Sequence, residues 1–69
     1  MKIQYFADTD TLLLTFNERV VAETRDLDED TLLEVDGQGR VVALTFEHAR
    51  GRVDVDSVTY QQLKNASGT

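Results

Sequence analysis

Residues 31–46 have the sequence TLLEVDGQGRVVALTF, in which two apolar runs flank the segment Asp36-Gly37-Gln38-Gly39. Aspartate followed by glycines favours a tight turn, because these residues accept the backbone angles that join two antiparallel strands. The flanking runs are rich in Leu, Val and Thr, as is typical of strands. The stretch therefore predicts a β-hairpin, and its pattern indicates how the neighbouring segments fold.

The chain before this hairpin repeats the same pattern. Lys2 to Ala7 and Thr11 to Asn17 are short apolar runs separated by the turn-forming Asp8-Thr9-Asp10, which predicts a first hairpin. Val20 to Arg25 predicts a third strand, joined by a second tight turn. An acidic loop over residues 26–30 then leads into the central hairpin.

The tail changes character after the last predicted strand. Asp56 or Ser57 can cap a helix, and the residues that follow include Gln, Leu, Lys and Ala, with Tyr60 and Leu63 three apart. Residues 50–55 fit either a loop or a sixth strand. The predicted fold is α+β and mostly β, an antiparallel β-meander of about five strands over residues 1–47 with one short C-terminal helix over residues 56–66. The 69 residues make a single small domain.

Composition limits the function further. Thirteen acidic residues against seven Lys and Arg give a net charge of -6, which disfavours nucleic-acid phosphates as partners. The chain has no cysteine, which excludes disulfides, thiolate zinc sites and thiol nucleophiles. The longest uninterrupted apolar runs are far too short for a membrane span. We expect a cytoplasmic protein that binds no nucleic acid, no membrane and no cofactor.

Strand alternation predicts two unequal faces of the sheet. The predicted helix is expected to cover the more apolar face, which carries Ile3, Tyr5, Leu12, Leu14, Phe16, Leu33, Val35, Val42, Leu44 and Phe46. One helix cannot cover both faces. Phe6, Leu13, Leu32 and Val41 project from the opposite face, where they form either a contact surface or ordinary scattered surface hydrophobes. Small domains without cysteine staples often bury more apolar surface by oligomerising. Because no proline protects the edge strands of the sheet either, we expect a homodimer.

Few residues suggest catalysis or metal binding. Asp26, Asp28 and Asp30 have the spacing of a calcium loop, but Thr31 and Gly37 replace the turn glycine and the bidentate glutamate of that pattern. Because the spacing of the three aspartates still matches, a small-ligand or cation-binding domain that uses the acidic 26–30 loop is the alternative function.

The single histidine and the clustered arginines carry no catalytic signal either. His48 follows Glu47 but lacks a nucleophile, so we predict no catalytic residues, no metal ligands and no enzyme. Arg50 and Arg52 form a small basic spot, and Asp54, Asp56 and Glu47 are near enough in sequence to neutralise it. These residues predict an internal charge network.

The ordered string from Tyr5 through Asp8-Thr9-Asp10 to Leu12-Leu13-Leu14, followed by residues 33–44, resembles the DUF2283 family of small bacterial proteins. Ala43 and Thr45 depart from the family pattern, which usually has glycine and often glutamate there. The resemblance implies a compact β-rich domain without an established activity, sometimes suspected as one half of a toxin–antitoxin-like pair beside a small basic protein. Together with the sequence, it predicts a protein-interaction or structural module that acts by self-association or by binding a small basic protein partner.

Overall fold

Antiparallel pairing accounts for nearly all regular structure in the computed structural model, which describes residues 1–64. The strands are β1 Lys2–Phe6, β2 Thr11–Thr15, β3 Glu23–Asp28, β4 Thr31–Val35 and β5 Val41–Glu47. A short 3-10 turn, Ala49–Gly51, follows β5. The predicted mostly-β, five-stranded antiparallel architecture is confirmed.

The strands lie in the order β1-β2-β5-β4-β3. β3, β4 and β5 form a meander, and the β1–β2 hairpin is added beside β5. Residues 16–22 carry the chain past the ends of β5 and β4, where the Phe16 N–H donates to the Val42 carbonyl and the Ala22 N–H to the Val35 carbonyl. As a result, β1 and β3 are the two end strands of the described sheet.

Asp36 fixes the turn of the central hairpin. Its Oδ1 accepts the N–H groups of Gln38 and Arg40, each at 2.9 Å, and its Oδ2 accepts the Arg40 Nε–H at 2.9 Å. Gly39 has φ 81°, a left-handed angle that favours glycine. The hydrogen bond from the Arg40 backbone is the main reason why the pKa of Asp36 is lowered. Asp36 is buried, so the carboxylate replaces water as the partner of these donors.

The apolar core lies mainly at the centre of the sheet. Paired residues share a face, and we call the more apolar side the leucine face; its two main cross-strand rows are Ile3–Leu14–Leu44–Leu33 and Tyr5–Leu12–Phe46–Thr31. Among the described hydrophobic residues, the buried ones are Val35, Val42, Ala43 and Ala49. Leu12, Leu14, Leu33 and Leu44 are half-buried, and Ile3 is 44% exposed. The leucine face is therefore incompletely covered.

The predicted C-terminal helix is the main error of the sequence analysis. Residues 56–64 are not helical, and residues 65–66 of the predicted helix lie outside the described residues. Tyr60 and Leu63, which the helix was expected to supply, are 76% and 67% exposed. Asp56, the expected cap, is paired with Arg50 instead. A helix this short is marginal without packing, and these contacts favour a non-helical tail.

The third strand also differs from its prediction. β3 is formed by Glu23–Asp28 rather than by Val20 to Arg25, because Asp26 pairs with Leu32 and Asp28 pairs with Thr31. A register shift lies between these two pairs. The expected acidic loop 26–30 is therefore mostly strand, with the turn confined to residues 29–30. Residues 50–55 contain part of the 3-10 turn and no sixth strand.

Candidate functional site

Two turns and the 3-10 turn meet at one end of the sheet. The Ala49 N–H donates to the Asp10 carbonyl at 2.9 Å, and the Glu47 N–H donates to the Asp30 carbonyl at 2.8 Å. Asp10 and His48 both have φ 54°, a left-handed conformation that Asp and His accept more readily than most residues. The segment after β5 is thus held between the β1–β2 turn and the β3–β4 turn.

Asp10 organises the first half of this end. Its Oδ1 accepts the Tyr5 hydroxyl at 2.7 Å and the Arg50 N–H at 2.9 Å. The bond from the Tyr5 hydroxyl lowers the pKa of Asp10, and the same bond raises the pKa of Tyr5. The Arg50 guanidinium lies 5.5 Å from the centre of the Tyr5 ring and 2.8 Å from Asp56 Oδ2. This network ties the tail to β1.

Arg52 organises the other half. It donates to the carbonyl of Asp30 at 2.7 Å and to the hydroxyl of Thr31, and its Nη2 lies 3.7 Å from Asp28 Oδ2. Asp28 also accepts the Asp30 N–H at 2.8 Å, which is the main reason why the pKa of Asp28 is lowered. His48 Nδ1 lies 3.1 Å from Asp30 Oδ1. These polar groups contact one another, so their role is structural: they hold the segment after β5 against the β3–β4 turn.

The contacts of Arg50 and Arg52 bear on the predicted internal charge network. Arg50 pairs with Asp56, as the predicted charge network requires. Arg52 instead pairs with Asp28, a partner from β3 that nearness in sequence could not reveal. Glu47 contributes to Arg52 with its backbone carbonyl, at 3.3 Å, rather than with its carboxylate.

The acidic residues of the proposed cation site are dispersed by the fold. Asp26 lies in a cross-strand row with Leu32, whereas Asp28 caps the β3–β4 turn and Asp30 contacts His48. Within residues 1–64, no three His, Asp or Glu side chains are placed to hold a metal ion together. The cation-binding alternative therefore has no preformed ligand set in the described part of the chain.

The four predicted interface residues do not share one row. Leu13 and Leu32 flank Thr45 in a single cross-strand row, and both are half-buried. Phe6, 46% exposed, pairs with Thr11 in the neighbouring row. Val41 is exposed and pairs with Val35 across a register shift. The structure brings Leu13 and Leu32 together and leaves Val41 outside their row.

A different apolar surface surrounds Ile3, at the β1 end of the leucine face. Val58 lines a groove with Ile3, and Met1 and Tyr60 line a second depression with the same residue. We call Met1, Ile3, Val58 and Tyr60 the Ile3 patch. Met1 is 77% exposed and Val58 63%. Sequence reasoning missed this surface because it placed the tail in a helix that would have covered the sheet.

Comparisons with known proteins identify a family and no function. A family model described as "Protein of unknown function (DUF2283)" matches residues 2–50. No curated protein and no solved structure matches the chain. No helix in residues 1–64 is long and apolar enough to cross a membrane.

Proposed function

The chain belongs to the DUF2283 family, whose description assigns no function, and we propose that it is a protein-interaction module that acts by self-association through the Ile3 patch. The observation that carries this proposal is the convergence of exposed apolar side chains on Ile3. Met1, Val58 and Tyr60 are each more than half exposed beside it. Contiguous apolar surface of this kind is typical of contact sites on small proteins.

The charge distribution permits a second copy as the occupant. The chain carries a net charge of -6, so two copies repel each other least where they meet away from acidic side chains. The four side chains of the Ile3 patch are uncharged, although Asp54 also lines the groove of Ile3 and Val58. Lys2 is the only charged residue of β1. Two copies that approach through β1 therefore place no acidic residue of β1 opposite another.

The small core supports the same proposal. Val35 is the largest fully buried side chain in the described chain, and the leucines of the leucine face stay half-buried. A domain of roughly 70 residues gains little stability from so small a core, and oligomerisation is one way in which such domains bury more apolar surface.

Two matched lysine substitutions test the proposal by light scattering. We expect the unchanged protein to have twice the 7.8 kDa mass of one chain. Ile3→Lys places a charge in the contact and is expected to weaken the dimer by about tenfold or more, because a charged group must be desolvated there. Leu27→Lys makes the same charge change on β3, where Leu27 is 56% exposed, and should leave the mass unchanged.

The controls separate folding from association. Far-UV circular dichroism should show that both variants keep the sheet, and Tyr60→Lys provides a second patch variant at a side chain that is 76% exposed. A protein that stays at 7.8 kDa at every concentration contradicts the proposal. Equal loss of the dimer in Ile3→Lys and Leu27→Lys also contradicts it, because the two edges would then be equivalent.

Binding of a small basic protein, as in an antitoxin-like role, is the second candidate. The β3 edge favours it, since Asp26, Asp28 and Glu29 are exposed along one side of the molecule. Arg25 is paired with Glu23, and Arg52 lies close to Asp28, so part of this acidity is neutralised internally. A stoichiometric basic protein that co-purifies and is released by salt would favour this candidate. The non-enzymatic role and the cytoplasmic location stay predictions.

A further inference from the structure

We propose that β1 pairs with β1 of a second copy, antiparallel and about a two-fold axis at Gln4, so that two five-stranded sheets become one continuous sheet. This inference rests on the proposed self-association and specifies its geometry. β1 is an end strand, and its backbone hydrogen bonds outside the β1–β2 ladder reach no described segment except its own turn. Its outer edge can therefore accept another strand.

The two end strands differ in how well they are protected. β1 pairs with β2 in unbroken register over Lys2–Phe6, and its only charged residue is Lys2. β3 carries a register shift between Asp26 and Asp28, together with several charged side chains. Bulges and charges on an end strand discourage pairing with other chains. Of the two edges, β1 is the one left open to a second copy.

The backbone of β1 presents suitable groups to that edge. The Phe6 carbonyl accepts the Thr9 N–H at 3.3 Å, so it points toward the β1–β2 turn and hence toward β2. Successive residues of an antiparallel strand direct their backbone groups to alternate sides. Gln4 therefore also faces β2, whereas the backbone groups of Ile3 and Tyr5 face the open edge.

Register follows from the side chains. With the axis at Gln4, all five residues of β1 find a partner, and Ile3 lies opposite the partner's Tyr5. Lys2 lies opposite the partner's Phe6, so no like charges meet. On β3, the register shift between Asp26 and Asp28 interrupts any continuous pairing of the strand with itself. The β1 register also joins the apolar rows of the two leucine faces end to end.

This geometry places two Gln4 residues directly opposite each other. Because the Gln4 backbone faces β2, the two residues form a non-hydrogen-bonded pair, with Cα atoms about 4.5 Å apart. That distance suits a disulfide. The native chain has no cysteine, so Gln4→Cys introduces a single reporter thiol.

Asp26→Cys is the matched control. Asp26 ends a cross-strand row with Leu32 on β3, as Gln4 ends one with Leu13 on β1. Under mild oxidation at micromolar protein, we expect Gln4→Cys to form disulfide-linked dimers at least about tenfold faster than Asp26→Cys, because association raises the local thiol concentration. Circular dichroism should show that both variants are folded.

The outcomes separate the two proposals. Equal rates of cross-linking in a protein of dimeric mass overturn the β1 contact and leave self-association standing. Equal rates in a protein of monomeric mass overturn both. Faster cross-linking of Gln4→Cys, abolished by adding Ile3→Lys, supports the pairing of β1 with β1.

Discussion

Replacing Asp36 by alanine is expected to lower the melting temperature by about 10 °C or more, since several hydrogen bonds to a charged group are lost together. The N–H groups of Gln38 and Arg40 lose their acceptor, and the Arg40 guanidinium loses its carboxylate. The turn between β4 and β5 depends on these bonds. Thermal unfolding followed by circular dichroism measures the effect.

Asp36→Asn is the control for this prediction. An amide oxygen can still accept both backbone N–H groups, whereas the charge that attracts Arg40 and Arg19 is gone. We expect its melting temperature to lie between those of the unchanged protein and Asp36→Ala. A melting temperature for Asp36→Ala within about 2 °C of the unchanged protein would mean that the turn holds without the carboxylate.

Val35→Ala is expected to reduce the free energy of unfolding by about 2 kcal/mol, because it removes two methyl groups from a fully buried site and leaves a cavity. Val35 is 1% exposed, and its cross-strand partner Val41 is 42% exposed. Val41→Ala removes the same atoms and should cost less than about 1 kcal/mol. Urea denaturation at one fixed protein concentration compares the two variants. Equal losses would show that the core is not centred on Val35.

Local chemistry explains which parts of the fold were predictable. The central hairpin was predicted correctly because its turn is formed locally: Asp36 accepts the N–H of Arg40, four residues on, and Gly39 adopts a left-handed φ. The strand run Thr31–Val35 coincides with β4, which ends directly before this turn. Strand order was not predictable, because the alternation of apolar and polar residues allows β2 to pair equally well with β3 or with β5. In the structure, β2 pairs with β5.

Long-range contacts explain what the sequence analysis missed. Asp10 binds the backbone of Arg50, forty residues away, and was interpreted as a simple turn residue. That contact, followed by the Arg50–Asp56 pair, directs the tail across β1 and β2. Helix propensity in residues 56–64 was too weak a signal to outweigh these tertiary contacts. The Ile3 patch depends on the path of the tail, so it could not be foreseen without the structure.

Amide hydrogen exchange of the unmodified protein tests the β1 contact most directly, because Gln4 and Phe6 face β2 and serve as internal references for Ile3 and Tyr5. If β1 pairs with a second copy, the Ile3 and Tyr5 amides should exchange slowly, and their protection should increase with protein concentration. Rapid exchange of both amides at every concentration, with Gln4 and Phe6 protected, would show an unpaired edge and contradict the pairing of β1 with β1.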